Sequence, residues 1–219
     1  MRIGALVLDM DGVLADTEPL HVSAWDITLQ GVASSLTGAP PSASEMRMAR
    51  VRMTGMSTPE IAEGMVRLFS LSVTPEELLV RKTRIFRTMV NGSLSAFPGL
   101  REELARWKNT PLGLATSSAR QEAELILGHL GFRGIFDPVI TCTDVRKAKP
   151  APDCYLLAAE RLGKPPGDCV VIEDSAHGIS AALDAGMRVC AVSQKQLGAT
   201  EGVLGVFPTT VEALQWLRS

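Results

Sequence analysis

Asp9 and Asp11 stand two residues apart where an apolar run ends, in Ala5-Leu6-Val7-Leu8-Asp9-Met10-Asp11-Gly12. Strand periodicity predicts both carboxylates on one side of the chain, about 6 to 7 Å apart, and Gly12 allows a sharp turn after them. Taken alone, such acids merely end a strand or cap a helix. A second acidic pair changes the reading. Val170-Val171-Ile172-Glu173-Asp174-Ser175 is another buried-type run ending in carboxylates, with Ser175 placed to cap the helix that follows. If both runs are strands of one parallel sheet, their carboxyl ends share the edge at which open α/β sheets bind ligands. Asp9, Asp11, Glu173 and Asp174 brought together repel one another and require a cation. Hard oxygen donors of this kind suit Mg²⁺, which retains waters and accepts a phosphate oxygen.

Two further segments suit an anion. Thr116-Ser117-Ser118 follows a third apolar run and precedes a helix, whose free N–H groups and dipole favour negative charge; Ser118 is also expected to cap that helix, with Gln121 three residues on. Lys149 precedes Pro150-Ala151-Pro152-Asp153, where the prolines should keep the chain extended until the next helix. A lysine there can neutralise a phosphate and an attacking carboxylate together.

The elements that must position these groups follow a βαβ rhythm. Residues 4–9 supply one apolar run; after residue 92, runs at 112–115, 139–140, 169–172 and 188–192 alternate with helical stretches at 119–130, 153–162, 176–185 and 210–217. This predicts an α/β fold with a parallel sheet covered on both faces. Thr209 with Glu212 and Thr74 with Glu77 have capping-box spacing, and Gly163 and Gly186 are helix stops. Between the first two runs the chain reads as helices, which makes 17–91 a helical insertion and leaves 1–16 with 92–219 as the core. The stretch 31–44 is small, polar and broken by Pro-Pro, and is expected to be a mobile loop.

Composition limits the alternatives. The 219 residues are 46% hydrophobic and 21% charged, with a net charge of −2, so no positive field attracts nucleic acid or an anionic membrane. No apolar run reaches the roughly 18 residues of a spanning helix, and Asp9 interrupts the N-terminal one. A cytoplasmic protein is expected. Cys142, Cys154, Cys169 and Cys190 form no C-x-x-C pair and read as reduced, structural residues.

The order Asp9-x-Asp11-Gly12-Val13-Leu14, Thr116-Ser117-Ser118, Lys149-Pro150-x-Pro152-Asp153 and Glu173-Asp174-Ser175 resembles the haloacid dehalogenase-like superfamily, in its β-phosphoglucomutase, sugar-phosphatase and phosphoglycolate-phosphatase-like branch. The resemblance spans nearly the whole chain. It implies a Rossmann-like, doubly wound parallel sheet core with an inserted α-helical cap domain, and a Mg²⁺-dependent phosphatase acting on a small phosphomonoester, foremost a sugar phosphate. Asp9 would be the nucleophile that becomes an aspartyl phosphate, and Asp11 the general acid and then base. Thr116, Ser117 and Lys149 would hold the transferring phosphoryl group. The metal would lie with Asp9, the Asp11 backbone carbonyl, Asp174 and Glu173. Asp144 would support the lysine and metal region.

By the same resemblance, Asp16 to His21 is the hinge and first cap helix, with His21 a hinge histidine or simply a cap-packing one, and Thr54 to Thr58 is a specificity loop. Thr58 stands where the mutases carry an arginine for a distal phosphate, which favours hydrolysis over transfer. Arg52, Arg81, Lys82, Arg84 and Arg87 are other cap cations, although Arg81, Lys82 and Arg84 read as one solvated helix face. A sugar phosphomutase is the alternative enzyme. A non-catalytic phosphoacceptor or phospholigand module is the alternative of another class, disfavoured by Asp11 and the long insertion. The expected partner is a small phosphorylated metabolite, with neither nucleic acid nor membrane, and a monomer is the favoured state.

Overall fold

Ala5–Leu8 (β1) is wholly buried, as an uninterrupted apolar run flanked by strands on both sides must be. It lies between Leu112–Ala115 (β2) and Cys169–Glu173 (β4), parallel to both. Val139–Ile140 (β3), Arg188–Val192 (β5) and Val203–Phe207 (β6) complete a parallel sheet of order β3-β2-β1-β4-β5-β6. The computed structural model describes residues 2–34, 41–53, 56–192 and 202–219. The sheet agrees with the expected Rossmann-like core. β6 was not anticipated, because Gly205 interrupts it and it is only half-buried at the sheet edge.

Alternate residues of the central strands serve two cores, one on each face of the sheet. Leu6, Leu8, Val170 and Ile172 pack one way with Leu100–Ala105 (α5), Arg120–His129 (α6) and Thr210–Arg218 (α9). Ala5, Val7, Cys169 and Val171 pack the other way with Asp153–Leu162 (α7) and Ala176–Asp184 (α8). The chain winds outward from β1 through β2 to β3, then returns to β4 on the other side of β1. The reversal falls between β1 and β4, whose carboxyl ends therefore border a crevice.

Among the described residues four helices separate β1 from α5: Glu18–Ser34 (α1), Ala43–Arg52 (α2), Thr58–Leu68 (α3) and Pro75–Ser93 (α4). Trp25, Leu29, Met46, Met53, Met65 and Leu78 give this insertion a core of its own, while Ala24, Phe86 and Val90 join the core of the sheet. The expected loop over 31–44 is corrected at both ends, since α1 runs to Ser34 and α2 starts at Ala43; residues 35–40 lie outside the described residues. α1 continues past Gly31 because Val32 is buried in the insertion core.

The capping boxes of α4 and α9 form as expected, Thr74 accepting from the Glu77 N–H and Thr209 from the Glu212 N–H. Ser175 accepts from the Gly178 N–H at 3.0 Å and so caps α8. The segment before α7 is not extended. The Ala151 N–H donates to the Ala148 carbonyl at 3.0 Å, a turn that returns the Lys149 side chain toward β1 and β4. The four cysteines are free. Among the described residues no helix is long and apolar enough to cross a membrane.

Candidate active site

The Asp9 N–H donates to the Ile172 carbonyl at 3.0 Å, which ties the end of β1 to the end of β4. Above that tie the Lys149 ammonium donates to Asp9 Oδ1 at 2.7 Å, to Glu173 Oε1 at 3.1 Å and to the Ala115 carbonyl at 3.0 Å. It also lies over the Tyr155 ring, 4.7 Å from its centre. All three ionisable groups are buried. Burial alone would lower the Lys149 pKa, but Asp9 and Glu173 outweigh it and hold the ammonium protonated.

Asp9, Glu173 and Asp174 bring carboxylate oxygens within 4.8 Å of one another. Their surroundings separate their roles. Glu173 Oε2 accepts from the Asp174 and Ser175 N–H groups at 2.6 and 2.9 Å, and Oε1 from Lys149 and from Ser175 Oγ at 3.1 Å. It packs so closely on Gly178 that a Cβ there would overlap it. Asp174 presses on Gly12 in the same way, and Gly12 has a left-handed φ of 76° that suits glycine. Among the described residues no donor is bonded to the Asp174 carboxylate. Burial, then repulsion by Glu173 and Asp11, pushes its pKa up to about 8, and burial raises that of Asp9 despite Lys149. A cluster of acids with one ammonium between them lacks positive charge, so the donor set fits a hard divalent cation. Asp9 and Asp174 offer it free oxygens.

Asp11 departs from the expected convergence. Its side chain leaves the acid cluster and accepts from Thr17 Oγ1, from Ser118 Oγ at 2.9 Å and, more weakly, from Thr116 Oγ1 at 3.4 Å. The reason is local. The Leu14 N–H donates to the Met10 carbonyl at 2.8 Å and the Gly12 N–H to the Ala15 carbonyl at 2.9 Å, so the strand ends before Asp11 and the two-residue alternation stops with it. Burial opposes ionisation here, yet the bonds from His21, Thr17 and Ser118 prevail and hold the Asp11 carboxyl well below the usual carboxylate range. Ser118 is thereby drawn away from the expected cap. The N-cap of α6 is Ala119, without a side-chain bond. The Ser118 N–H instead donates to Thr116 Oγ1 at 3.0 Å.

His21 Nε2 lies 3.4 Å from Asp11 Oδ1, its ring stacks on Phe86, and Nδ1 is 2.9 Å from the Lys82 ammonium. Because an ammonium only donates, Nδ1 accepts, and the proton of a neutral ring sits on Nε2, facing Asp11. Lys82 also donates to Glu122 Oε1 on α6 at 2.7 Å. This overturns the expectation of a solvated Lys82. The residue is 0% exposed, because one step along a helix turns it about 100° from Arg81, onto the face that carries Phe86. Asp144 is also displaced from its expected place. It accepts from the Thr141 N–H at 2.7 Å and from Arg120 at 2.5 Å, while the ammonium of Lys149 is bonded to Asp9, Glu173 and Ala115.

A cavity of about 400 Å³ opens between the sheet edge and the insertion. Asp11, Ser117 and Ser118 line it on the sheet side, and Trp25, Thr58 and Arg47 on the other. Thr58 is thus in the site, whereas Thr54 and Gly55 lie outside the described residues. Arg84 and Arg87 line a separate cleft between α4 and α6. Sequence reasoning missed Arg47, which borders a stretch read as loop and belongs to no motif. It also missed the Thr17 bond to Asp11, for which Thr17 offered no signal beyond its polarity.

Known proteins resemble this chain along most of its length. The family model for haloacid dehalogenase-like hydrolases matches residues 3–186. The fructose-1-phosphate phosphatase YqaB of Escherichia coli is 36% identical over 189 residues, 85% of this chain and 94% of that protein. The β-phosphoglucomutase of Bacillus subtilis is 30% identical over 220 residues, 96% of this chain and 93% of that one. Among solved structures, CbbY of Rhodobacter sphaeroides in complex with phosphate superimposes with a TM-score of 0.80 at 26% identity, covering 96% of each chain.

Proposed function

The chain belongs to the haloacid dehalogenase-like hydrolase family, and from that premise we propose that it is a Mg²⁺-dependent phosphatase that releases phosphate from a small phosphomonoester, foremost a sugar phosphate. The observation that carries the reading is the buried Lys149 ammonium held between Asp9 and Glu173 beside a further acid, Asp174. Asp9 and Asp174, with the Asp11 backbone carbonyl, would hold the metal, and Glu173 orients Lys149 and the backbone beside it. When bound, Mg²⁺ neutralises charge on the phosphoryl oxygens.

Asp9 attacks phosphorus with a carboxylate oxygen. The P–O bond to the leaving alcohol breaks, Asp11 gives that alcohol its proton, and an aspartyl phosphate is left on Asp9. A water then gives its proton to Asp11 and attacks the phosphorus, and the Asp9–phosphorus bond breaks to release phosphate. Thr116, Ser117 and Lys149 bind the charge spread over the phosphoryl oxygens. Asp11 is ionised in the substrate-free geometry, ready for the second step. The first step needs its proton, and an incoming phosphate dianion raises the proton affinity of a carboxylate beside it. His21 Nε2 stands next to Asp11 and keeps it oriented.

The names of the relatives, a fructose-1-phosphate phosphatase and a β-phosphoglucomutase, support a phosphorylated sugar as substrate. Thr58 on the cavity wall favours hydrolysis over transfer. The test is phosphate release from sugar phosphates with Mg²⁺. The wild type should be active, chelation should stop it and Mg²⁺ should restore it, while Asp9→Asn should be inactive with an unchanged circular dichroism spectrum. Activity of Asp9→Asn near that of the wild type refutes the nucleophile. The mutase reading, supported by the match along 96% of this chain, predicts glucose 6-phosphate from β-glucose 1-phosphate; we expect free phosphate instead.

A further inference from the structure

The Lys149 ammonium has three N–H groups, and Asp9 Oδ1, Glu173 Oε1 and the Ala115 carbonyl accept from it. A phosphoryl oxygen can take a bond from this ammonium only in exchange for one of them. The Asp9 carboxylate is the partner that changes, since its charge is lost when its oxygen bonds phosphorus. The ring of Tyr155 does not change. Its centre lies 4.7 Å from Lys149 Nζ, and a ring face attracts an ammonium as a charge instead of accepting at one atom. Tyr155 is 0% exposed and belongs to the core that holds Ala5, Val7, Ala115 and Val171, where a desolvated contact of this kind is strongest. The Tyr155 N–H donates to the Pro152 carbonyl at 3.0 Å, so the ring leaves the first turn of α7 directly after the turn that returns Lys149. The hydroxyl has no hydrogen-bond partner among the described residues, and burial pushes its pKa up, which keeps the phenol neutral. A buried hydroxyl without a partner costs the fold stability, so the hydroxyl is not what places this side chain here.

On the phosphatase reading above, we infer that Tyr155 is a positioning residue. The face of its ring, and not its hydroxyl, keeps the Lys149 ammonium at the edge between β1 and β4 while that ammonium exchanges a carboxylate oxygen for a phosphoryl oxygen. Tyr155 touches neither substrate nor metal in this scheme and acts through Lys149 alone.

A graded ring tests this. Tyr155→Phe removes the hydroxyl and keeps the face, and 3,5-difluoro- or 3,4,5-trifluorophenylalanine placed at the same position draws charge out of the face with little change of shape. Two readouts are taken for each protein: kcat/KM for p-nitrophenyl phosphate with Mg²⁺, and the rate at which the Lys149 ammonium protons exchange with water in the metal-free protein, measured by magnetic resonance. Tyr155→Phe should keep kcat/KM within about threefold of the wild type, with a Tm no lower. The trifluoro ring should then lower kcat/KM about tenfold below Tyr155→Phe, with the difluoro ring between them and ammonium exchange quickening in the same order. The Tm should stay level across the three phenyl rings, which separates the effect from loss of folding. Flat kcat/KM and flat exchange across those rings would leave Tyr155 a packing residue and overturn the inference, and a Tyr155→Phe protein as impaired as the trifluoro one would overturn it in favour of the hydroxyl. No release from any ester by the wild type overturns the phosphatase reading instead, and the exchange series still decides whether the ring holds the ammonium.

Discussion

Lys149 Nζ stands 2.7 Å from Asp9 Oδ1 across 140 positions of sequence, and both groups are buried. The ammonium is the counter-charge through which the carboxyl ends of β1 and β4 tolerate acids so close together. Glu173, on the same ammonium, has its remaining acceptor capacity filled by the backbone and hydroxyl of its own turn.

Replacing Lys149 by Met keeps much of the volume and deletes the charge, leaving Asp9 and Glu173 uncompensated in the interior. Loss of one partner of a buried ion pair costs about 3 to 5 kcal/mol, so Lys149→Met should shift the urea midpoint of the metal-free protein markedly downward and end phosphate release. A destabilisation within about 1 kcal/mol, the range of an exposed pair, would mean that the ammonium does not hold the edge together.

Asp174 gives the metal-free protein a particular pH dependence. Its pKa rises from 3.8 to about 8 on folding. A carboxyl with a raised native pKa favours the folded state while protonated, so the contribution is fully present below about pH 4 and is lost as pH rises toward 8. A bound divalent cation removes that penalty. The Tm gain on adding Mg²⁺ should therefore be small at pH 5 and grow up to about pH 8, measured by calorimetry in EDTA and in Mg²⁺. A gain of equal size at pH 5 and pH 8 counts against Asp174 as a ligand.

What was legible in the sequence follows from what is local. The acids at the ends of β1 and β4 could be read because buried parallel strands announce themselves as apolar runs and their ends share an edge. The same argument failed for the Asp11 side chain, since the turn at 10–15 depends on hydrogen bonds within that segment and not on strand period. Lys82 failed for a different reason. Arg81 and Arg84, three apart, read as a solvated stripe, but Lys82 is one and two residues from them and so lies on another face, where its partners His21 and Glu122 are set by the tertiary fold. Asp144 was misplaced because its partners Thr141 and Arg120 lie on loops and helix ends that no motif fixes.

The Lys82–Glu122 pair joins α4 of the insertion to α6 of the core, both side chains being at most 1% exposed. Lys82→Met strands Glu122, whose Oε2 already has no partner among the described residues, and should cost about 3 to 5 kcal/mol in chemical denaturation. Adding Glu122→Gln removes the orphaned charge, so the double variant should regain a large part of that loss. Strict additivity of the two substitutions would show that the residues are not energetically coupled.

Ser118 distinguishes a serine that orients Asp11 from one that only begins a helix. Its hydroxyl donates to Asp11 Oδ2 at 2.9 Å and takes no part in capping α6. A donor to a carboxylate favours the ionised form, so Ser118→Ala should raise the Asp11 pKa toward its ordinary value while changing stability by only about 1 kcal/mol. In the proposed mechanism, hydrolysis of the aspartyl phosphate needs ionised Asp11 as base. The acidic limb of the Mg²⁺-supported kcat profile should then move to higher pH in Ser118→Ala, and Ser118→Thr, which keeps the hydroxyl, should restore it in part. A uniformly lower kcat with an unmoved limb would assign the serine to packing alone.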